Sequence, residues 1–307
     1  MQRTGMAVVE RQGRIMLRGV LDLRPFPAMP GRLDLTPAPD ASARTAAAKA
    51  YRFRSVDFPG AAQSLVFDRH GSSAVGAVVF DPATSPTTAF QYVGQDYQLI
   101  AVPSSTMSIA TAINGPGLIG GVYMDLSGNT RGFTMDDTTF TSVDAPTASA
   151  TQVIGLNDAG QIVGDYIDAA SVEHGFVKTG AAFTTIDVPG ATGTGVTAIN
   201  TAGDIVGIFS DAVGTHGFLI RGGALTIIDY PGSTSTSVFG INDSGEIAGF
   251  YGDASGNSHG FILANGAFSV VDVAGAASTL VLGLENNGAI AGAYTDVLNG
   301  QHGMLGR

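Results

Sequence analysis

The chain has 307 residues, of which 44% are hydrophobic, 13% are charged and 43 are glycine. This is a composition of short strands and turns, and no apolar run approaches the roughly 20 residues of a membrane-spanning helix. With no cysteine and a net charge of −11, disulfides and thiolate metal sites are excluded, and a nucleic-acid partner is argued against, since that needs clustered Lys and Arg.

The charge is unevenly placed. Residues 1–50 carry +4 and residues 51–307 carry −15, with Lys178 the only lysine of the acidic part. Arg11, Arg14, Arg18 and Arg24 interrupt every apolar stretch of the first segment, so it contains no hydrophobic region of secretory type. Ala46-Ala-Ala-Lys-Ala50 ends in a small-x-small pattern just before the first repeat strand. Residues 1–50, rich in Arg and Pro, are therefore expected to be a disordered or processed extension, and the mature chain is expected to start near Tyr51.

From Tyr51 onward one phrase recurs about every 43 residues. In one copy it reads Gly155-Leu-Asn-Asp-Ala-Gly160-Gln-Ile-Val-Gly164, then His174-Gly-Phe176, then Ile186-Asp187-Val-Pro-Gly190. Four short apolar runs separated by turn chemistry predict a four-stranded antiparallel meander. Units begin near Phe67, Ile113, Leu156, Ile199, Ile241 and Leu284. The first is degenerate, with Asp68 in place of the Asn and Thr88-Ala-Phe90 in place of His-Gly-Phe. The second strands of the other five carry Gly121, Gly164, Gly207, Gly249 and Gly292. An interior strand glycine implies close approach of a neighbour, and the adjacent blade is the expected one.

The last copy begins at Gly283 and stops at His302-Gly-Met304 without its closing strand, while Tyr51 to Pro59 near the other terminus reads as that strand. An open stack of repeats needs capping units, whereas a ring closes by such an exchange. The prediction is one all-β domain over residues 51–307, a six-bladed β-propeller of about 43-residue, four-stranded repeats. The N-terminal strand closes it by pairing with the C-terminal blade.

The phrase Gly240-Ile-Asn-Asp-Ser-Gly-Glu-Ile-Ala-Gly249, followed by His259-Gly-Phe261 and Asp272-Val-Ala-Gly275, resembles the bacterial extracellular repeat family called HAF. The resemblance covers residues 51–307, with several motif positions recurring together. It implies a secreted or surface-exposed bacterial protein, and it brings no activity, cofactor or catalytic residue with it.

His174, His216, His259 and His302 share one repeat position, and each follows an Asp at the end of the preceding strand: Asp168, Asp211, Asp253 and Asp296. One His per blade cannot supply three convergent metal ligands, so each pair is read as a hydrogen bond that pins a loop. Arg131 replaces the His opposite Asp125. Asp57, Asp144, Asp187, Asp229 and Asp272 are read as corner residues. The loops Asp125-Leu-Ser-Gly-Asn129 and Asp253-Ala-Ser-Gly-Asn257 are explained by turn chemistry without calcium. No nucleophile elbow and no phosphate loop are present, and zero Trp weakens a sugar-stacking site.

Function in a ring of repeats is expected where the copies differ. The loops after the second and fourth strands share one face, and the departures there include Arg131 and Glu173. Asp165 is a carboxylate within a strand where other copies have Val122, Ile208, Phe250 or Ala293. Arg131, Asp165 and Glu173 are the candidate ligand-binding residues, with no metal or cofactor implied. The first functional expectation is a non-catalytic, monomeric propeller, secreted or on the cell surface, binding an extracellular macromolecule or small ligand through one loop face. The alternative is an enzyme of hydrolase, lyase or lactonase type with carboxylates at the mouth of the central channel.

Overall fold

A computed structural model describes residues 50–137 and 139–307, together with the backbone of Ala7–Arg11, Arg14–Arg18, Thr36–Pro37 and Arg44–Thr45. The expected disordered or processed leader otherwise lies outside the described residues. Thr36–Pro37 runs parallel to Ala224–Leu225, and Arg44–Thr45 runs parallel to Ala267–Phe268.

Six four-stranded antiparallel meanders form the body. In the third, Ala150–Leu156, Ile162–Ile167, Glu173–Thr179 and Ala182–Ile186 lie side by side in chain order. Each of these sheets is a blade of a six-bladed β-propeller. Among the described residues no helix occurs, and none is long and apolar enough to cross a membrane.

The ring closes through the split sixth blade. Ser278–Leu284, Ile290–Thr295 and Gln301–Gly306 are completed by Phe53–Val56, with Gly303 opposite Val56 and Gly306 opposite Phe53. The strand is shorter than the Tyr51 to Pro59 read from the sequence, because Asp57-Phe58-Pro59-Gly60 turns the corner, where the Ala61 N–H bonds the Phe58 carbonyl at 3.0 Å.

The second-strand glycines have a different cause from the one expected. A Cβ at Gly164 would lie 1.9 Å from the Gln152 carbonyl oxygen of its own blade, and at Gly121 it would lie 2.1 Å from that of Ile109. The crowding comes from a β-bulge in each first strand, such as the register shift between Val153 and Gly155. The bulge turns a carbonyl toward the second strand. Phe133, Phe176, Phe218 and Phe261 then fill the space over these glycines, each fully buried.

Blade-to-blade packing falls instead to the glycine of His-Gly-Phe. Built Cβ atoms on Gly132, Gly175, Gly217 and Gly260 would press within 2.9 Å of Val153, Val196, Val238 and Val281, each on the first strand of the next blade. The bare glycine admits the valine, and seven hydrophobic clusters run between blades around the ring. Strand direction alternates, so loops after the first and third strands lie at one end and loops after the second and fourth at the other.

Candidate functional site

At the end formed by the second-strand loops and the blade-to-blade corners, the repeat builds a three-residue clamp. His174 Nδ1 lies 2.7 Å from Asp187 at the corner and Nε2 lies 3.4 Å from Asp168 in the loop. The same bridge links His216 to Asp229 and Asp211, His259 to Asp272 and Asp253, and His302 to Asp57 and Asp296. The corner carboxylate is the nearer partner in every copy, a contact that reading the corner aspartates as independent residues misses. Each ring also stacks on the aromatic directly opposite it on the neighbouring second strand, as His174 does on Tyr166 with centroids 5.1 Å apart.

Arg131 takes the same position in the second blade, reaching Asp144 at 3.1 Å and Asp125 at 3.4 Å. The Asn129 amide and backbone, followed by the Ser127 N–H and Arg131, hold the Asp125 carboxyl down to about 2. The loop carboxylate thus closes an Asx turn and serves as one jaw of the clamp. Both nitrogens of each His face carboxylates, so the ring is engaged on both sides within its own clamp. Among the described residues no group of three or more His, Asp or Glu is arranged to hold one.

At the opposite end, the first strands and their turns enclose a cavity of about 320 Å³ on the ring axis, to which all six blades contribute. Its rim is an asparagine relay. Asn114 donates its amide to the Asn157 carbonyl, Asn157 to that of Asn200, Asn200 to that of Asn242 and Asn242 to that of Glu285, over 3.0 to 3.4 Å. Each Oδ1 meanwhile accepts from its own turn, as from the Gln161 N–H at 2.9 Å. One side chain therefore closes a hairpin and ties it to the next blade.

The relay changes chemistry where the sixth and first blades meet, because Asp68 and Glu285 occupy the asparagine positions. Asp68 accepts the Ile113 N–H of the second blade at 3.0 Å and the Arg69 N–H at 2.8 Å. Glu285 accepts the Gly71 N–H and lies 3.1 Å from Arg69 Nε. Burial pushes the Asp68 carboxyl up to about 7, assisted by the negative charge of Glu285 and opposed by those two amide bonds and by Arg69. An acid group that titrates near neutrality thus sits at the channel mouth beside a carboxylate, an arginine and His70.

The three residues singled out in the sequence lie elsewhere, and none lines this cavity. Asp165 is 4% exposed and accepts from the Gln152 amide at 3.1 Å. It is joined by Glu173 at the third-to-fourth blade interface, where both approach Gly195. Arg131 is held in the clamp of the second blade. The structure therefore brings Asp165 and Glu173 together and leaves Arg131 apart. The mouth residues Asp68, Arg69 and Glu285 are missed in the sequence. Their signal is the loss, in the first and sixth copies alone, of the Asn that opens the turn in the other four.

The architecture defines the class, a six-bladed β-propeller with a polar channel mouth. It is similar to a triple arginine-to-alanine variant of AofleA from Arthrobotrys oligospora, at 11% identity and TM-score 0.53 over 91% of this chain and 92% of that one. It is also similar to the six-bladed, fucose-recognising fungal lectin of Aleuria aurantia, at 11% identity and TM-score 0.50, covering 81% and 92% of the two chains. TolB from Acinetobacter baumannii matches at 11% identity and TM-score 0.55, covering 77% of this chain and 64% of TolB. At these identities the likeness is one of fold. No family model matches the chain, and no curated protein matches it.

Proposed function

We propose that this protein is a non-catalytic propeller that binds an extracellular macromolecule or polymer through the face built from the second-strand loops. The observation that carries the reading is a set of exposed apolar tips on those loops. Leu126 is 73% exposed, Val213 87%, Val297 77% and Leu298 85%. All sit on turns that begin at a clamp carboxylate, so they are displayed at intervals around one face on loops already held rigid. Rigid loops lose little conformational freedom on binding, and several weak contacts on one ring add by avidity. The HAF-type repeat supports a secreted or cell-surface setting in a bacterium, with the protein acting as a monomer.

The test is retention of the purified protein on immobilised extracellular polysaccharides and on cell-wall fractions. A variant with Leu126→Ser, Val213→Ser, Val297→Ser and Leu298→Ser serves as comparison. Retention lost in the variant, at unchanged melting temperature, is expected. No retention of the native protein, or equal retention of both, contradicts the reading.

A second reading, an enzyme at the channel mouth, is favoured by one observation, the carboxyl of Asp68 raised to about 7 beside Glu285. A group poised near neutral pH suits general acid–base work. Turnover of ester or lactone substrates, abolished by Asp68→Asn and unaffected by the four loop substitutions, would replace the binding account.

A further inference from the structure

The part of the chain from residue 51 onward has seven basic side chains, Lys178 and six arginines. Arg131 and Arg221 are paired with carboxylates of their own blades, and Lys178 bonds the Gly180 carbonyl. The other four, Arg52, Arg54, Arg69 and Arg307, line a single cleft where the sixth blade meets the first. Arg69 is neutralised by Glu285. Among the described residues, Arg52, Arg54 and Arg307 have no carboxylate within ion-pair distance.

Their placement on the sheet is costly. Arg52 and Arg307 exchange both backbone hydrogen bonds, at 2.8 and 3.1 Å. That makes them a directly opposed antiparallel pair, with Cα atoms about 5.5 Å apart and both side chains on one face. Arg54, two residues along the same strand, points to that face as well, and its guanidinium is fixed 5.1 Å over the Tyr92 ring. Like charges directly opposed on a sheet destabilise it. Three guanidinium groups crowd one exposed strand edge while carboxylates are abundant over the rest of the body.

We propose that this seam cleft is a binding site for a ligand bearing two or more phosphate or sulfate groups. Guanidinium forks match such oxyanions with paired hydrogen bonds, and several guanidinium groups in one cleft suit a polyvalent anion rather than a single carboxylate. Ser72 and Ser73 of the first blade form the opposite wall, and the cleft adjoins the channel mouth through Arg69 and Gly71. The site lies at the other end of the ring from the apolar loop tips, so it goes beyond the loop-face reading and stands or falls separately.

The test is titration of the full chain at low ionic strength with pyrophosphate and, in a separate arm, with dextran sulfate, neutral dextran serving as control. Saturable binding of pyrophosphate is expected, and binding of dextran sulfate alone would assign the oxyanions to a polymer. For either ligand, Arg54→Gln and Arg307→Gln should each weaken binding about tenfold. Arg307→Gln should leave the ligand-free melting temperature unchanged or raise it, because it relieves the opposed charges. In the unsubstituted protein, pyrophosphate should shift the Nε–H resonances of Arg52, Arg54 and Arg307 while those of Arg131 and Arg221 stay in place. Absence of binding by both ligands, undiminished binding in the variants, or ligand shifts confined to other arginines would each overturn the proposal.

Discussion

Gly303 of the last blade packs against Val66 of the first, where a Cβ on the glycine would lie 2.8 Å from Val66 Cγ2. The same glycine-to-valine contact joins Gly132 to Val153, Gly175 to Val196, Gly217 to Val238 and Gly260 to Val281. The seam between the two ends of the chain is therefore packed like an ordinary blade interface, with Val66 fully buried.

The one interface that departs from this pattern does so on both sides. Ala89 stands where His-Gly-Phe has glycine, and in the next blade Ala110 stands where the others have valine; both are fully buried in one cluster. Ala110→Val alone is predicted to overpack this interface at a cost of about 1–3 kcal/mol. Adding Ala89→Gly is predicted to recover at least about 1 kcal/mol, measured as a coupling energy by denaturant unfolding. Simple additivity of the two substitutions would show that the alanines are not compensating each other.

A second-strand glycine is predicted to be less forgiving. Gly164→Ala places a methyl 1.9 Å from the Gln152 carbonyl oxygen, a backbone atom that cannot turn aside. The expected loss is about 3 kcal/mol or more in denaturant unfolding. A loss below about 1 kcal/mol would mean that the bulge relaxes.

The clamps give stability a definite pH dependence. The hydrogen bond to Asp187 raises the His174 ring against the opposing effect of burial, and at His259 burial is outweighed by Asp272 and Asp253. A histidine raised on folding contributes fully below its unfolded pKa of about 6.5, and that contribution is lost as pH rises through the folded value. At Asp168 burial works to raise the carboxyl, but the Val172 N–H and His174 lower it on balance. Its contribution is present above the unfolded value of about 3.9 and lost as pH falls through the folded one. His174→Gln should therefore cost more stability near about pH 5.5 than near pH 8.5, as read by denaturant midpoints. A cost independent of pH would show that the ring acts there by packing alone.

At the channel mouth the sign is reversed for an acid. Burial raises Asp68 to about 7, so the fold loses stability as pH rises from the unfolded value of about 3.9 up to that folded value. Carboxyl carbon NMR should show one group titrating near 7, assigned by its disappearance in Asp68→Asn. Glu285→Gln should move that titration lower, since it removes a neighbouring negative charge and releases Arg69. Carboxyls that all titrate below about 5 would contradict the site as described.

The repeat makes most of the architecture legible, because each turn, glycine and corner is stated several times in register. Blade number, meander order and the location of the closing strand follow from that redundancy. The second jaw of the clamp is legible in principle: His174 and Asp187, His216 and Asp229, His259 and Asp272, and Arg131 and Asp144 all stand 13 positions apart. The seam is not legible in this way, since Asp68, Arg69 and Glu285 each occur in a single copy. Arg52 and Arg307 become neighbours only when the ends of the body pair. Asp165 stands out in the sequence because a carboxylate interrupts an apolar strand, and only the fold supplies its Gln152 partner and places Glu173 beside it.

Ring closure underlies both the clamp of the sixth blade and the arginine cleft, so it is the claim to test first. The measurement is thermal unfolding of the chain lacking residues 1–49 beside one lacking residues 1–60. Removal of 1–49 forfeits two short parallel pairings and should leave a cooperative transition close to that of the full chain. Further removal of residues 50–60 strips Phe53–Val56 from the sixth blade, and should lower the transition far more or abolish its cooperativity. Equal melting temperatures for the two truncated chains would contradict the closure.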